Sequence, residues 1–252
     1  MRRRIWNSMS GVLPTMTLAM IVVSAANQAN AQTQQGPHVW EVPFGTLASQ
    51  MPIDFRLPSC GTRGGPPGIL LKSFAEFSRC RPEPETGLRE VWFSYDDDTE
   101  YYLRATRADQ AIIDRYRANQ MFTHAVIYSL LFDSEGRLEG YRIATDPRET
   151  PAARADADTV GDGVRAMLPY GGAEWNCKDL PPEQGQQPWG GNYENRLCEK
   201  TANGVYVTIA QHLYLKAGQQ ATGNGATPLA SEFESGTWVE AINASLRKVP
   251  PQ

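Results

Sequence analysis

Apolar and polar positions alternate in a way that divides the chain into short elements. Val39 to Phe44 reads as a short strand. Pro58, Gly61, Gly64, Gly65, Pro66, Pro67 and Gly68 then break any regular structure. Leu70, Leu71, Phe74 and Phe77 recur at three- and four-residue steps, which predicts a short amphipathic helix over Ile69 to Cys80. Between Leu88 and Ala105, Val91, Phe93 and Tyr95 alternate with Glu90, Trp92 and Ser94. Asp96-Asp97-Asp98 follows as a turn and Thr99 to Ala105 as a return strand, giving a hairpin.

Thr106 and Asp109 form a capping box, and Ala108, Ala111, Ile112 and Tyr116 supply the stripe of a helix to about Asn119. A second hairpin runs from Ala125 to Phe132, through Asp133 to Gly136, and back along Leu138 to Ala144. Pro147 to Asn203 carries many breakers and little periodicity, so it reads as a long loop ordered by a disulfide. Val205, Val207 and Ile209 alternate with Tyr206 and Thr208 in a strand to Leu215, with a helix as the alternative. Gly218 to Pro228 is a low-complexity loop. Thr237 with Glu240, followed by Val239, Ile242 and Leu246, predicts a final helix stopped by Pro250.

The fold class expected from this order is α+β: an antiparallel sheet of hairpins, two to three short helices and a long disulfide-stapled loop. A helix followed by hairpin strands turning at Phe132-Asp133-Ser134-Glu135-Gly136 resembles small envelope modules such as those of the β-barrel assembly lipoprotein family. The likeness covers less than a third of the chain and carries no function over.

The first 31 residues have the form of a cleavable secretory signal. Arg2, Arg3 and Arg4 precede an apolar run from Val12 to Ala26, and Ala29-Asn30-Ala31 gives a small-x-small site before Gln32. The run is shorter than the ~20 clean apolar residues of an anchor. Gln32 to Pro37 is then a polar leader, and residues 38–252 form a single α+β domain. The expected location is periplasmic or secreted. Cleavage removes three arginines and no acid, leaving 21 basic against 28 acidic residues, a net charge of −7. That balance disfavours nucleic acid as a partner.

In an oxidising compartment, the even set Cys60, Cys80, Cys177 and Cys198 points to two disulfides. Spacings of 20 and 21 residues pair Cys60 with Cys80 and Cys177 with Cys198. Each loop contributes about 3 kcal/mol on the chain-entropy estimate. No cysteine pair has zinc-knuckle spacing, so no metal is expected. Asp156-Ala157-Asp158 imitates a calcium loop but has Val160 and Met167 at ligand positions. Lys72-Ser73 lacks the preceding glycine of a phosphate loop. His38, His124 and His212 meet no nucleophile elbow. No cofactor is expected.

Tyr170, Trp175, Trp189 and Tyr193 lie among glycines and prolines in the stapled segment, off any periodic face. Rigidly held aromatics suit a carbohydrate- or protein-binding surface. The leading expectation is therefore a non-catalytic binding or interaction protein of the cell envelope, taking an envelope protein or glycan. The alternative is a hydrolase of envelope polymers using paired carboxylates, Asp97 or Asp98 with Glu174. A purely structural envelope component is a third reading.

Overall fold

A computed structural model describes residues 37–96, 98–109, 119–169, 174–219, 229 and 231–247. Nine strands form one mostly antiparallel, open sheet: β1 (Phe55–Cys60), β2 (Arg89–Tyr95), β3 (Gln120–Met121), β4 (His124–Phe132), β5 (Leu138–Thr145), β6 (Asn176–Asp179), β7 (Glu194–Ala202), β8 (Val205–Leu215) and β9 (Phe233–Asn243). Their order is β1-β2-β4-β5-β9-β8-β7-β6, with β3 pairing β4. Two α-helices are described, α1 (Asp98–Ala105) and α2 (Val160–Met167), together with short 3-10 turns.

Strand register separates two faces, because successive side chains alternate. Val91, Leu130, Tyr141 and Ala241 fall on one face, as do Phe93, Tyr128, Ile143, Val239 and Ile209. This face holds the main core, where aromatic rings stack around Phe93, with Phe55 at 4.1 Å. The opposite face carries Glu90, Trp92, Ser129, Arg142, Trp238 and Glu240 with a small apolar patch of Leu88, Leu131 and Ile242. Burial of polar groups on that second face makes it the one that needs a chemical explanation.

The hairpin from β4 to β5 and strand β8 occur where the alternation places them. At the hairpin turn, Asp133 accepts the backbone N–H groups of Glu135 and Arg137. Gly136 has φ +78° and lies against Phe77, so a side chain there would meet the ring. Both disulfides pair as the spacing predicts. Cys177 and Cys198 stand directly opposite each other on β6 and β7.

Other expectations are corrected. Val39–Glu41 is a 3-10 turn instead of a strand: Val39 is buried, and Glu41 accepts the His38 backbone N–H at 2.7 Å. Within Ile69 to Cys80 only Phe74–Arg79 is helical, as a 3-10 turn, and Ile69 and Leu70 are exposed. Thr99 to Ala105 is helix α1, with Arg104 in its last turn where a cation favours the helix dipole. The Thr106 hydroxyl donates back to the Tyr102 carbonyl at the end of α1, and residues 106–109 are not helical. The rest of that expected helix lies outside the described residues.

The long stapled loop contains regular structure: the 3-10 turn Ala157–Thr159, α2, β6 and β7. Val160, Val164 and Leu168 are the buried stripe at four-residue steps that seats α2 on the sheet, and β6 and β7 form a hairpin. Gly161 and Gly163 obscure the helix in sequence, yet they let it approach closely: a Cβ would stand 2.6 Å from Gln211 at one and 2.3 Å from Phe122 at the other.

The expected last helix is strand β9. Phe233, Ser235, Thr237, Val239 and Ala241 alternate inward, and pairing to both β5 and β8 overrides the local capping signal. Thr237 does cap a helix, but a distant one: its hydroxyl accepts the Gly161 N–H of α2 at 2.9 Å.

Candidate functional site

Strand β5 pairs with β9 only from Gly140 opposite Ile242 to Ala144 opposite Trp238. β9 continues beside β8 to Phe233. Where the two strands part, a cleft of about 540 Å³ opens, walled by Trp238 and the Thr62–Gly65 loop and reaching Arg154, His212 and Ser235.

The loop is placed by sequence. Gly64 has φ +78°, and a Cβ there would stand 2.5 Å from the Trp238 ring, so glycine alone allows both the backbone and the contact. The Cys60–Cys80 bond anchors the loop's base. Gly61 N–H donates to the Glu90 carbonyl at 2.9 Å, and Arg63 N–H donates to the Glu90 carboxylate at 2.8 Å.

Behind the wall sits Arg142, 2 % exposed in the middle of the sheet. Its guanidinium donates to both oxygens of Glu83, one of them at 3.0 Å. Its Nε donates to Glu240 at 2.6 Å, and Glu90 lies 3.2 Å away. The Trp238 ring lies under it, 5.4 Å from the guanidinium carbon to the ring centroid. Burial pushes the Glu83 carboxyl up, but the Arg142 hydrogen bond and charge outweigh it and hold the group below its ordinary range. Burial pulls Arg142 down and is outweighed by Glu83, Glu240 and Glu90, so the guanidinium stays charged. One buried clasp thus fixes the cleft's aromatic wall and, through Glu90, its glycine loop.

At the cleft's inner end the polar groups are poorly matched. Arg154 is 5 % exposed. Among the described residues its guanidinium donates only to the Pro147 and Ser235 carbonyls, at 3.4 Å each, and lies 4.9 Å from the Phe233 ring centre. Arg154 Nε, Ser235 Oγ and His212 Nδ1 are buried without a hydrogen-bond partner. Burial pulls His212 below its ordinary pKa, against a smaller pull from Glu234, so the imidazole is neutral at pH 7. Among the described residues, no carboxylate oxygen lies within 4 Å of the Arg154 guanidinium. Asp146, on which the Arg154 charge acts, is engaged by Arg148.

A second cleft of about 740 Å³ adjoins Glu240 on the same face. Within it the Tyr206 hydroxyl donates to Glu199, and Arg247 lies 4.3 Å from the Tyr206 ring centre. Among the described residues, no three His, Cys, Asp or Glu side chains are placed to hold a metal ion.

Of the four aromatics expected to form a binding surface, Trp175, Trp189 and Tyr193 are described, each packed on a different neighbour. Trp175 is half-buried against the core with Lys200 5.3 Å from its ring centre. Trp189 packs on Phe233 at 4.6 Å, and Tyr193 stacks on Tyr214 at 5.6 Å while its hydroxyl donates to Gln186. Lys200 lies near the far end of β7 from Tyr193, which directly precedes the strand, roughly 23 Å away at strand spacing. Tyr170 lies outside the described residues, as do Asp97 and the Asp98 side chain, while Glu174 is exposed. The cleft residues left little trace in sequence. Arg142 shares the segment Leu138 to Ala144 with a second charge, Glu139, so the pattern alone does not mark which of the two is buried.

The chain matches no protein-family model, no curated protein and no solved structure.

Proposed function

We propose that this is an exported binding protein of the cell envelope, and that its ligand enters the cleft between Trp238 and the Thr62–Gly65 loop. The observation that carries this reading is the set of buried, unpartnered polar atoms on Arg154, Ser235 and His212, all three lining one cleft. A buried polar group without a partner costs about 1–3 kcal/mol, a cost that a fold carries when a ligand supplies the missing bond. An aromatic wall held by the Arg142 clasp favours a ligand with a flat apolar or sugar-ring face. Two disulfides fit an oxidising compartment and so support export.

The test is to equilibrate mature protein with an envelope extract and identify retained glycans and small molecules by mass spectrometry. Trp238→Ala should lose the retained species and Trp175→Ala should keep it. The converse pattern would move the site to the β6–β7 hairpin. Exported protein should also begin at Gln32.

A further inference from the structure

Resting on that reading of the cleft, we infer that the ligand is acidic, with an oxyanion seated on Arg154 and a ring or other flat group lying on Trp238.

The argument starts from the cost of the arginine. A guanidinium is charged at every physiological pH, and its removal from water must be offset by an opposite charge or a full set of acceptors. Arg142 shows how this chain meets that need, with three carboxylates. Arg154 is buried almost as deeply and has two long bonds to carbonyls, a ring face and an unused Nε. Five N–H groups in a planar fork are geometrically matched to a carboxylate or phosphate, which can accept two of them at once. Next to the fork, the Ser235 hydroxyl can donate a further bond. Neutral His212 can donate from a ring nitrogen without bringing a charge.

Charge in the surroundings sharpens the selection. Asp146, on which the Arg154 charge acts, and Glu234, which lines the cleft, are each paired with another cation, Arg148 and Lys216 respectively. Neither forms an ion pair with Arg154. A net-acidic mature chain repels anions at long range. An anion reaching this site is therefore held by short-range bonds to the fork, and affinity should fall with Arg154 more than with ionic strength. Carboxylate and phosphate share this chemistry, and the probes below separate them.

The experiment uses full-length mature protein, labelled with 15N, and three probes: glucuronate, glucose 1-phosphate and glucose. The charged sugars should shift the Arg154 Nε–H resonance and the amides of Ser235 to Trp238, and glucose should not. The stronger of the two charged probes identifies the group. Arg154→Met should weaken that binding about 10- to 100-fold, as expected for losing charge-assisted bonds. Arg154→Lys should recover only part of it.

Thermal melting of the unliganded variants supplies a readout that a structural role would oppose. A guanidinium kept for a ligand is a burden without it, so Arg154→Met should melt at or above the wild-type temperature. A clear drop in the melting temperature together with unchanged binding would overturn the inference. So would equal responses to all three probes, or none. If a neutral envelope glycan binds the cleft independently of Arg154, the acidic-ligand inference fails and the binding function stands. If no retained species perturbs the cleft, both fail.

Discussion

The Trp238 ring lies under the Arg142 guanidinium, 5.4 Å from its central carbon. That contact joins the sheet's most charged interior to the wall of its cleft, because Arg142 is fixed in turn by Glu83, Glu90 and Glu240. Removing the cation would strand three carboxylates in a buried position. Arg142→Met should cost about 3–5 kcal/mol in chemical denaturation. Glu83 is held low by Arg142 in the wild type, so its contribution is present above the usual carboxylate pKa and lost as pH falls. In the variant burial, the largest influence, is opposed only by the Thr86 hydrogen bond and the Arg63 charge, so the sign should reverse and stability recover as pH drops towards 4. A loss that does not depend on pH would argue against the clasp.

Asp158 gives the opposite slope in the native protein. It sits in the Ala157–Thr159 turn under α2, 6 % exposed, with Oδ1 unpartnered. Burial pushes its carboxyl up to about 6. Glu194 on β7 and Asp156 and Asp162 on its own segment add to this, against a bond from its own backbone. The unfolded chain releases this proton near 4, so Asp158 favours folding below that pH and the benefit disappears as pH rises through 6. Asp158→Asn should be more stable than wild type at pH 7 by roughly 1–3 kcal/mol and nearly equal to it at pH 4. Parallel stability curves for the two proteins would count against this assignment.

The two disulfides should act on different parts of the molecule. Cys177 joins Cys198 across β6 and β7, and every residue of β6 is exposed, so little else holds that edge strand. In hydrogen exchange, Cys177→Ser with Cys198→Ala should lose protection in β6 while β8 and β9 keep theirs. Cys60 and Cys80 lie in the core and anchor the cleft loop. Replacing both with alanine should lower global stability by about 3 kcal/mol and free residues 61–68.

Gly64→Ala tests the loop itself. The substitution forces a non-glycine residue to φ +78° and places a Cβ 2.5 Å from the Trp238 ring. A cost of about 1–3 kcal/mol is expected in thermal or chemical denaturation, together with weaker ligand retention, because the wall must move. Gly87→Ala, also at positive φ but with open space around it, is the control: it should strain the backbone and leave retention intact.

Sequence pattern located elements whose partners are close in the chain. The β4–β5 hairpin and β8 follow from alternation because neighbouring strands bury one face, and the disulfide pairing follows from spacing. Strand β9 was illegible locally: Thr237 and Glu240 imitate a helix start, and only pairing with β5, about a hundred residues earlier, decides the matter. Helix α1 was hidden in the same way by its adjacent tyrosines, which read as a strand until no neighbour is found to pair them. For the cleft, Arg142 shares its strand with Glu139, and only the pairing of β5 with β4 and β9 decides that Arg142 is the buried charge. Arg154 was illegible, since a loop arginine carries no periodic signal and its burial comes from the parting of β5 and β9.

Chemical-shift mapping on 15N-labelled mature protein, titrated with whatever it retains from an envelope extract, tests the binding cleft most directly. Perturbations should gather at Arg63 to Gly65, Thr145, His212 and Ser235 to Trp238. Perturbations confined to Trp175, Trp189 and Tyr193, with the cleft unmoved, would contradict it.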